Sequence, residues 1–186
     1  MIAKPIAFFS GHQCATVYGI RCEQLPPTST WGTLFLGSTG LTATTTVTFY
    51  SVLAAHDETT VIVNCSVGHP NPATYTIDIG GNYHNFVIKY SSYHAFCVIE
   101  ASKPVLVMEF QSAYLISDWN SFVTLLPATD QYNNHYSLPY LGFNYSNYVT
   151  INVLPQYFEE KKIYVDDSIV STQWISVKCS NGTVCG

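Results

Sequence analysis

The 186-residue chain is 47% hydrophobic and only 10% charged, which excludes a disordered segment and leaves ample side chain to bury. Its seven Lys and Arg are widely spread and its formal charge is −5, so no nucleic acid partner is expected. No apolar run reaches the roughly 18 residues a membrane span needs, and none is expected in this chain.

Ten Phe and fourteen Tyr, in a background rich in Thr, Ser and Val, make this a strand composition. Period-2 alternation is frequent, whereas no stretch sustains a 3.6-residue apolar period, so helix content should be small. In chain order, Val47, Phe49, Ser51 and Leu53 alternate with Thr48, Tyr50 and Val52. Thr60 to Asn64 form the next strand. Tyr75, Ile77 and Ile79 alternate with Thr76 and Asp78 and end at Gly80-Gly81, which predicts a hairpin turn. Phe86 to Tyr90, Phe96 to Glu100, Val105 to Phe110, Tyr148 to Leu154 and Ile163 to Val165 complete the set. The expected class is all-β, built from antiparallel β-sandwich units in tandem, immunoglobulin-like or jelly-roll-like.

The tandem comes from self-comparison. Ala3-Lys4-Pro5-Ile6-Ala7 recurs as Ser102-Lys103-Pro104-Val105-Leu106. Leu25-Pro26-Pro27-Thr28 with Trp31 recurs as Leu126-Pro127-Ala128-Thr129 with Tyr132. Val52-Leu53 and Val61 to Asn64 match Val153-Leu154 and Ile163 to Asp166, a repeat of about 100 residues. Its phase makes residues 1–22 the closing strand and disulfide loop of a preceding unit, 23–117 one sandwich repeat, and 118–186 a second, incomplete one.

Six cysteines, Cys14, Cys22, Cys65, Cys97, Cys179 and Cys185, suit an oxidising compartment and show no zinc or redox spacing. Cys14 with Cys22 and Cys179 with Cys185 bracket short loops and read as local disulfides, free thiols being the alternative. Cys65 with Cys97 pair by elimination, against two buried free cysteines. Asn64, Asn144 and Asn181 open glycosylation sequons, Asn181 in the best turn context. Met1-Ile2-Ala3-Lys4-Pro5 lacks the basic and apolar regions of a signal peptide, so secretion predicts a piece of a longer chain.

Chemistry is sparse. His12, His56, His69, His84, His94 and His135 form no compact ligand spacing, Gly-x-Ser-x-Gly is missing, and no active site or cofactor is expected. Glu159-Glu160 and Asp166-Asp167 offer carboxylates for calcium, or solvated loop charge beside Lys161-Lys162. Trp31, Tyr18, Trp119 and Tyr132 lie near turn-rich segments, as partner anchors or as packed plugs; for Trp31 and Tyr132 the plug reading is preferred.

The run Lys4-Pro5-Ile6-Ala7-Phe8-Phe9-Ser10-Gly11, then Cys14, Cys22-Glu23-Gln24-Leu25-Pro26-Pro27 and Thr30-Trp31-Gly32, resembles the amino-terminal domain of the IgG Fc-binding protein family. Ala101-Ser102-Lys103-Pro104-Val105-Leu106 and Leu125-Leu126-Pro127-Ala128 fit the same pattern. The resemblance implies a non-catalytic module of large secreted proteins in mucus and on extracellular surfaces, beside von Willebrand type D domains and mucin-like chains. The autocleaving Gly-Asp-Pro-His of some partner domains is absent, and Fc binding maps onto no residue here. The expected function is a binding or structural module acting through extracellular glycoproteins, mucins or an immunoglobulin Fc. The alternative is a calcium-dependent, lectin-like carbohydrate receptor.

Overall fold

The computed structural model describes residues 7–13, 20–38, 46–66, 72–89, 95–113, 122–137, 150–158, 163–165, 167–170 and 176–184. Two strands, β1 (Phe8–Gln13) and β2 (Ile20–Leu25), form an antiparallel hairpin. The main sheet is built from β3 (Gly32–Ser38), β4 (Thr46–Ala54), β5 (Thr59–Cys65), β6 (Ala73–Ile77), β7 (Tyr83–Lys89), β8 (Phe96–Ala113) and β9 (Phe122–Leu126), all antiparallel to their neighbours.

One strand organises this sheet. β8 is 18 residues long, and its first part pairs with β5 on one edge and β3 on the other. Its second part, from Val105 onward, pairs with β4 and β9. β4 and β5 therefore run end to end along one edge of β8, and β6 and β7 run end to end along the next. The result is one curled antiparallel sheet, creased across all its long strands at residues 55–58, 78–82 and 102–104.

The crease is stitched by hydrogen bonds. Asp57 Oδ1 accepts the Gly80 amide at 2.7 Å, and the Asp57 carbonyl accepts Lys103 Nζ at 2.6 Å. The Ala55 amide donates to Pro104 O at 3.1 Å, and the Gly81 amide to Ala54 O at 2.8 Å. Pro104 can sit inside a long strand because it falls in the crease, in the gap between the β5 ladder, which reaches Ala101, and the β4 ladder, which reaches Val105. Glu58 at φ 51 and Gly81 at φ 87 take the left-handed backbone the bend requires.

Curling turns the two halves of the sheet toward each other. Alternation in β5 places Thr59, Val61, Val63 and Cys65 inside, and in β4 places Thr48, Tyr50, Val52 and Ala54 inside. The apolar ones among these join Phe35, Ile77, Phe86, Ile88, Cys97, Ile99, Val105 and Val107 in one buried cluster. Tyr50 stacks on Phe86 at 5.1 Å, and Tyr75 reaches Phe86 across the crease at 6.4 Å. Gly37 is needed where β3 meets Tyr50: a Cβ there would lie 2.6 Å from the Tyr50 hydroxyl.

Two sequence expectations are corrected here. Gly80-Gly81 does not close a hairpin: β6 pairs with β5 and β7 with β4, so the turn is a bend between two strands running in one direction. Of the strand expected over Tyr148 to Leu154, residues 150–154 are irregular, followed by a single helical turn, α1 (Pro155–Phe158). The expected strands from Phe96 to Glu100 and Val105 to Phe110 are continuous within β8. The sheet also runs past residue 117 to take in β9.

Of the expected disulfides, Cys65–Cys97 is formed between directly opposed residues of β5 and β8, with Cα atoms 4.1 Å apart. Cys14 and Cys185 lie outside the described residues, as does the Cys22 side chain, so two of the expected bridges fall there. Cys179 is buried.

Candidate interaction surface

The two faces that curling leaves outward differ. Over the first half, Leu36 and Val98 are covered by Cys179, with Leu34, Tyr132 and Val177 packed against them. The covering segment is pinned by the Asn64 side-chain amide donating to Lys178 O at 3.3 Å and the Ser180 amide donating to Glu100 Oε1 at 2.5 Å. Burial drives the Tyr132 phenol up to about 12, against a side-chain hydrogen bond with Asn152 that lowers it. Tyr132 is thus a packed plug, as its position after Leu-Pro suggested.

Over the second half no comparable cover exists among the described residues. Strand register aligns Val87, Phe49, Phe110 and Val123 in one row across four strands, and Asn85, Ser51, Met108 and Leu125 in the next. Phe49 is 42% exposed, Val87 40% and Tyr83 64%. An apolar row across four strands with exposed members is the kind of feature that marks a contact surface. At one end it borders a cleft of about 170 Å³ lined by Pro26, Trp31, Leu106, Leu125 and Gln131. The Trp31 indole donates to Pro26 O at 3.1 Å, which fixes the ring at the cleft wall.

The sequence contained this surface without revealing it. In β4 both phases of the alternation are apolar, and only the pairing shows that Tyr50 and Val52 face in while Phe49 and Leu53 face out.

The other candidate residues do not converge. His56 and His135 are exposed, and His84 stacks on Tyr75 at 4.0 Å with its pKa lowered by burial. The His12 side chain, His69, His94, Tyr18, Trp119, Asn144, Glu159, Glu160 and Asp166 fall outside the described residues. Asp167 is exposed at φ 61 in the turn between β10 (Tyr164–Val165) and β11 (Ser168–Ile169), a backbone role that Asp fills readily. Among the described residues no three His, Cys, Asp or Glu cluster as metal ligands, and no helix is long and apolar enough to cross a membrane.

The two outer sequons with described asparagines differ. Asn181 is exposed at a hairpin tip whose Gly182 has φ 82, and the Thr183 hydroxyl donates to Asn181 Oδ1 at 2.6 Å. Asn64 is half-buried, with its amide spent on Lys178 O and its neighbour Cys65 in the disulfide.

No curated protein and no solved structure matches the chain. A family model described as IgGFc binding protein matches residues 2–184, nearly all of it, and the chain therefore belongs to the IgGFc binding protein family.

Proposed function

We propose that this chain is a non-catalytic binding and structural module of a secreted, mucus- or surface-associated protein, and that the outer face carrying Phe49, Val87 and Tyr83 makes its contacts. The observation that carries this reading is the continuous apolar row across β7, β4, β8 and β9, in a family of extracellular binding proteins. The Cys65–Cys97 bridge supports an oxidising compartment. The partner class is an extracellular glycoprotein or mucin, with an immunoglobulin Fc as the partner the family name suggests.

The test is biolayer interferometry of the secreted chain against purified mucin and against an antibody Fc fragment, each with and without EDTA. Saturable binding that survives EDTA, and that Phe49→Asp with Val87→Asp weakens by about tenfold or more, is the expected result. Binding lost in EDTA transfers the function to a calcium-dependent, lectin-like receptor. Binding unchanged in the double variant removes the sheet face as the contact surface.

A further inference from the structure

The hairpin β1–β2 is the register twin of the hairpin β8–β9. Phe8↔Leu25, Phe9↔Gln24, Ser10↔Glu23, Gly11↔Cys22 and His12↔Arg21 correspond, 99 residues on in one strand and 101 in the other, to Val107↔Leu126, Met108↔Leu125, Glu109↔Thr124, Phe110↔Val123 and Gln111↔Phe122. Each hairpin leads through an extended residue into one turn of 3₁₀ helix, Thr28–Thr30 or Thr129–Gln131, closed by Trp31 or Tyr132 donating its amide three residues back.

The twins differ at one edge. β8 carries β4 on the edge away from β9, whereas β1, among the described residues, pairs with β2 alone. The counterpart of β4 by the same offset is the segment ending in Val153-Leu154. Its alternation predicts a strand, yet residues 150–154 are irregular, with Asn152 Nδ2 donating to Leu36 O at 3.4 Å. Among the described residues, a strand with no partner on one edge and a strand-forming segment without a ladder are thus present together, and their counterparts are partners. An open edge is a template for a further strand.

We infer that β1 of one copy pairs antiparallel with residues 150–154 of a second copy, linking copies head to tail. Transferring the β4–β8 register gives Ala7↔Leu154, Phe8↔Val153, Phe9↔Asn152, Ser10↔Ile151 and Gly11↔Thr150. Because donor and acceptor lie on different parts of the chain, the contact is heterologous and can propagate. It is independent of the outer sheet face, so either can fail alone.

The experiment uses the whole chain with the photoreactive residue p-benzoylphenylalanine in place of Phe9, mixed with an unmodified copy labelled uniformly with nitrogen-15. After irradiation, adducts between the unlabelled residue-9 peptide and labelled peptides spanning residues 150–154 are expected. Adducts confined to the same chain, adducts elsewhere on the labelled copy, or none, overturn the inference. Sedimentation equilibrium of Ile151→Pro gives a second reading. Ile151 lies outside any ladder in the single copy but is half-buried, so melting is recorded alongside, and at temperatures where the variant is folded its self-association should weaken by about tenfold. Association as strong as in the unsubstituted chain overturns the proposal.

Discussion

At Gly37 the fold depends on the lack of a side chain. A Cβ there would meet the Tyr50 ring at 2.6–3.0 Å, and that ring is wholly buried against Phe86 in the opposite half of the sheet. Gly37→Ala should therefore cost about 1–3 kcal/mol in urea unfolding. Adding Tyr50→Phe, which removes the nearest atom but leaves two ring carbons close, should recover only part of that loss. Full additivity of the two changes would show that they do not meet. His84 gives a second residue-scale expectation. Burial lowers its pKa below the ordinary 6.5, so the unfolded chain holds the proton more tightly than the fold does. This residue imposes no penalty well above pH 6.5, and the fold loses stability as pH falls through 6.5 toward the lowered value. Melting temperatures measured across that range should fall less steeply in His84→Gln than in the unsubstituted chain.

At the scale of elements the crease decides the architecture. Asp57 ties two neighbouring strand paths at once, through its carboxylate to the Gly80 amide and through its carbonyl to Lys103. Asp57→Ala should cost about 0.5–1.5 kcal/mol, since water can reach the released Gly80 amide, whereas Asp57→Asn, which keeps an acceptor oxygen, should cost less. Equal losses in the two variants, read from denaturant midpoints, would show that the carboxylate bond contributes little. The junction of β3 with the second 3₁₀ turn is just as close. A Cβ on Gly32 would overlap Ala128 Cβ, and Gln131 donates to Thr30 O while accepting the Ala128 amide at 3.2 Å. These short contacts hold β9 and β3 end to end along β8.

At the scale of the whole molecule, one outer face is covered and the other, among the described residues, is not. The same contrast separates the sequons, since Asn181 stands at an exposed tip while Asn64 is engaged under the carboxy-terminal segment. On expression through a secretory pathway, glycan mapping by mass spectrometry should find Asn181 occupied and Asn64 empty. A glycan on Asn64 would mean that the Val177–Cys179 cover forms late or not at all.

All-β character, the small helix content, the Cys65–Cys97 pairing among its alternatives and the family were legible in the chain, because alternation, composition and short motifs are local properties. The likeness of Leu25-Pro26-Pro27-Thr28 to Leu126-Pro127-Ala128-Thr129 was legible as a repeat, and the structure gives both segments the same form, a 3₁₀ turn. What the sequence left open is which strand pairs with which. Gly80-Gly81 reads as a hairpin because the residue types suit any reversal or bend, and only the prior pairing of β5 and β4 with β8 makes it a crease. The inward phase of β4 was equally hidden, since Phe49 and Tyr50 are alike in hydrophobicity and differ only in which side of the sheet the curl closes over. Local chemistry sets the tendency to form a strand, but the burial of a face depends on partners distant in sequence, and those are chosen by the tertiary structure alone.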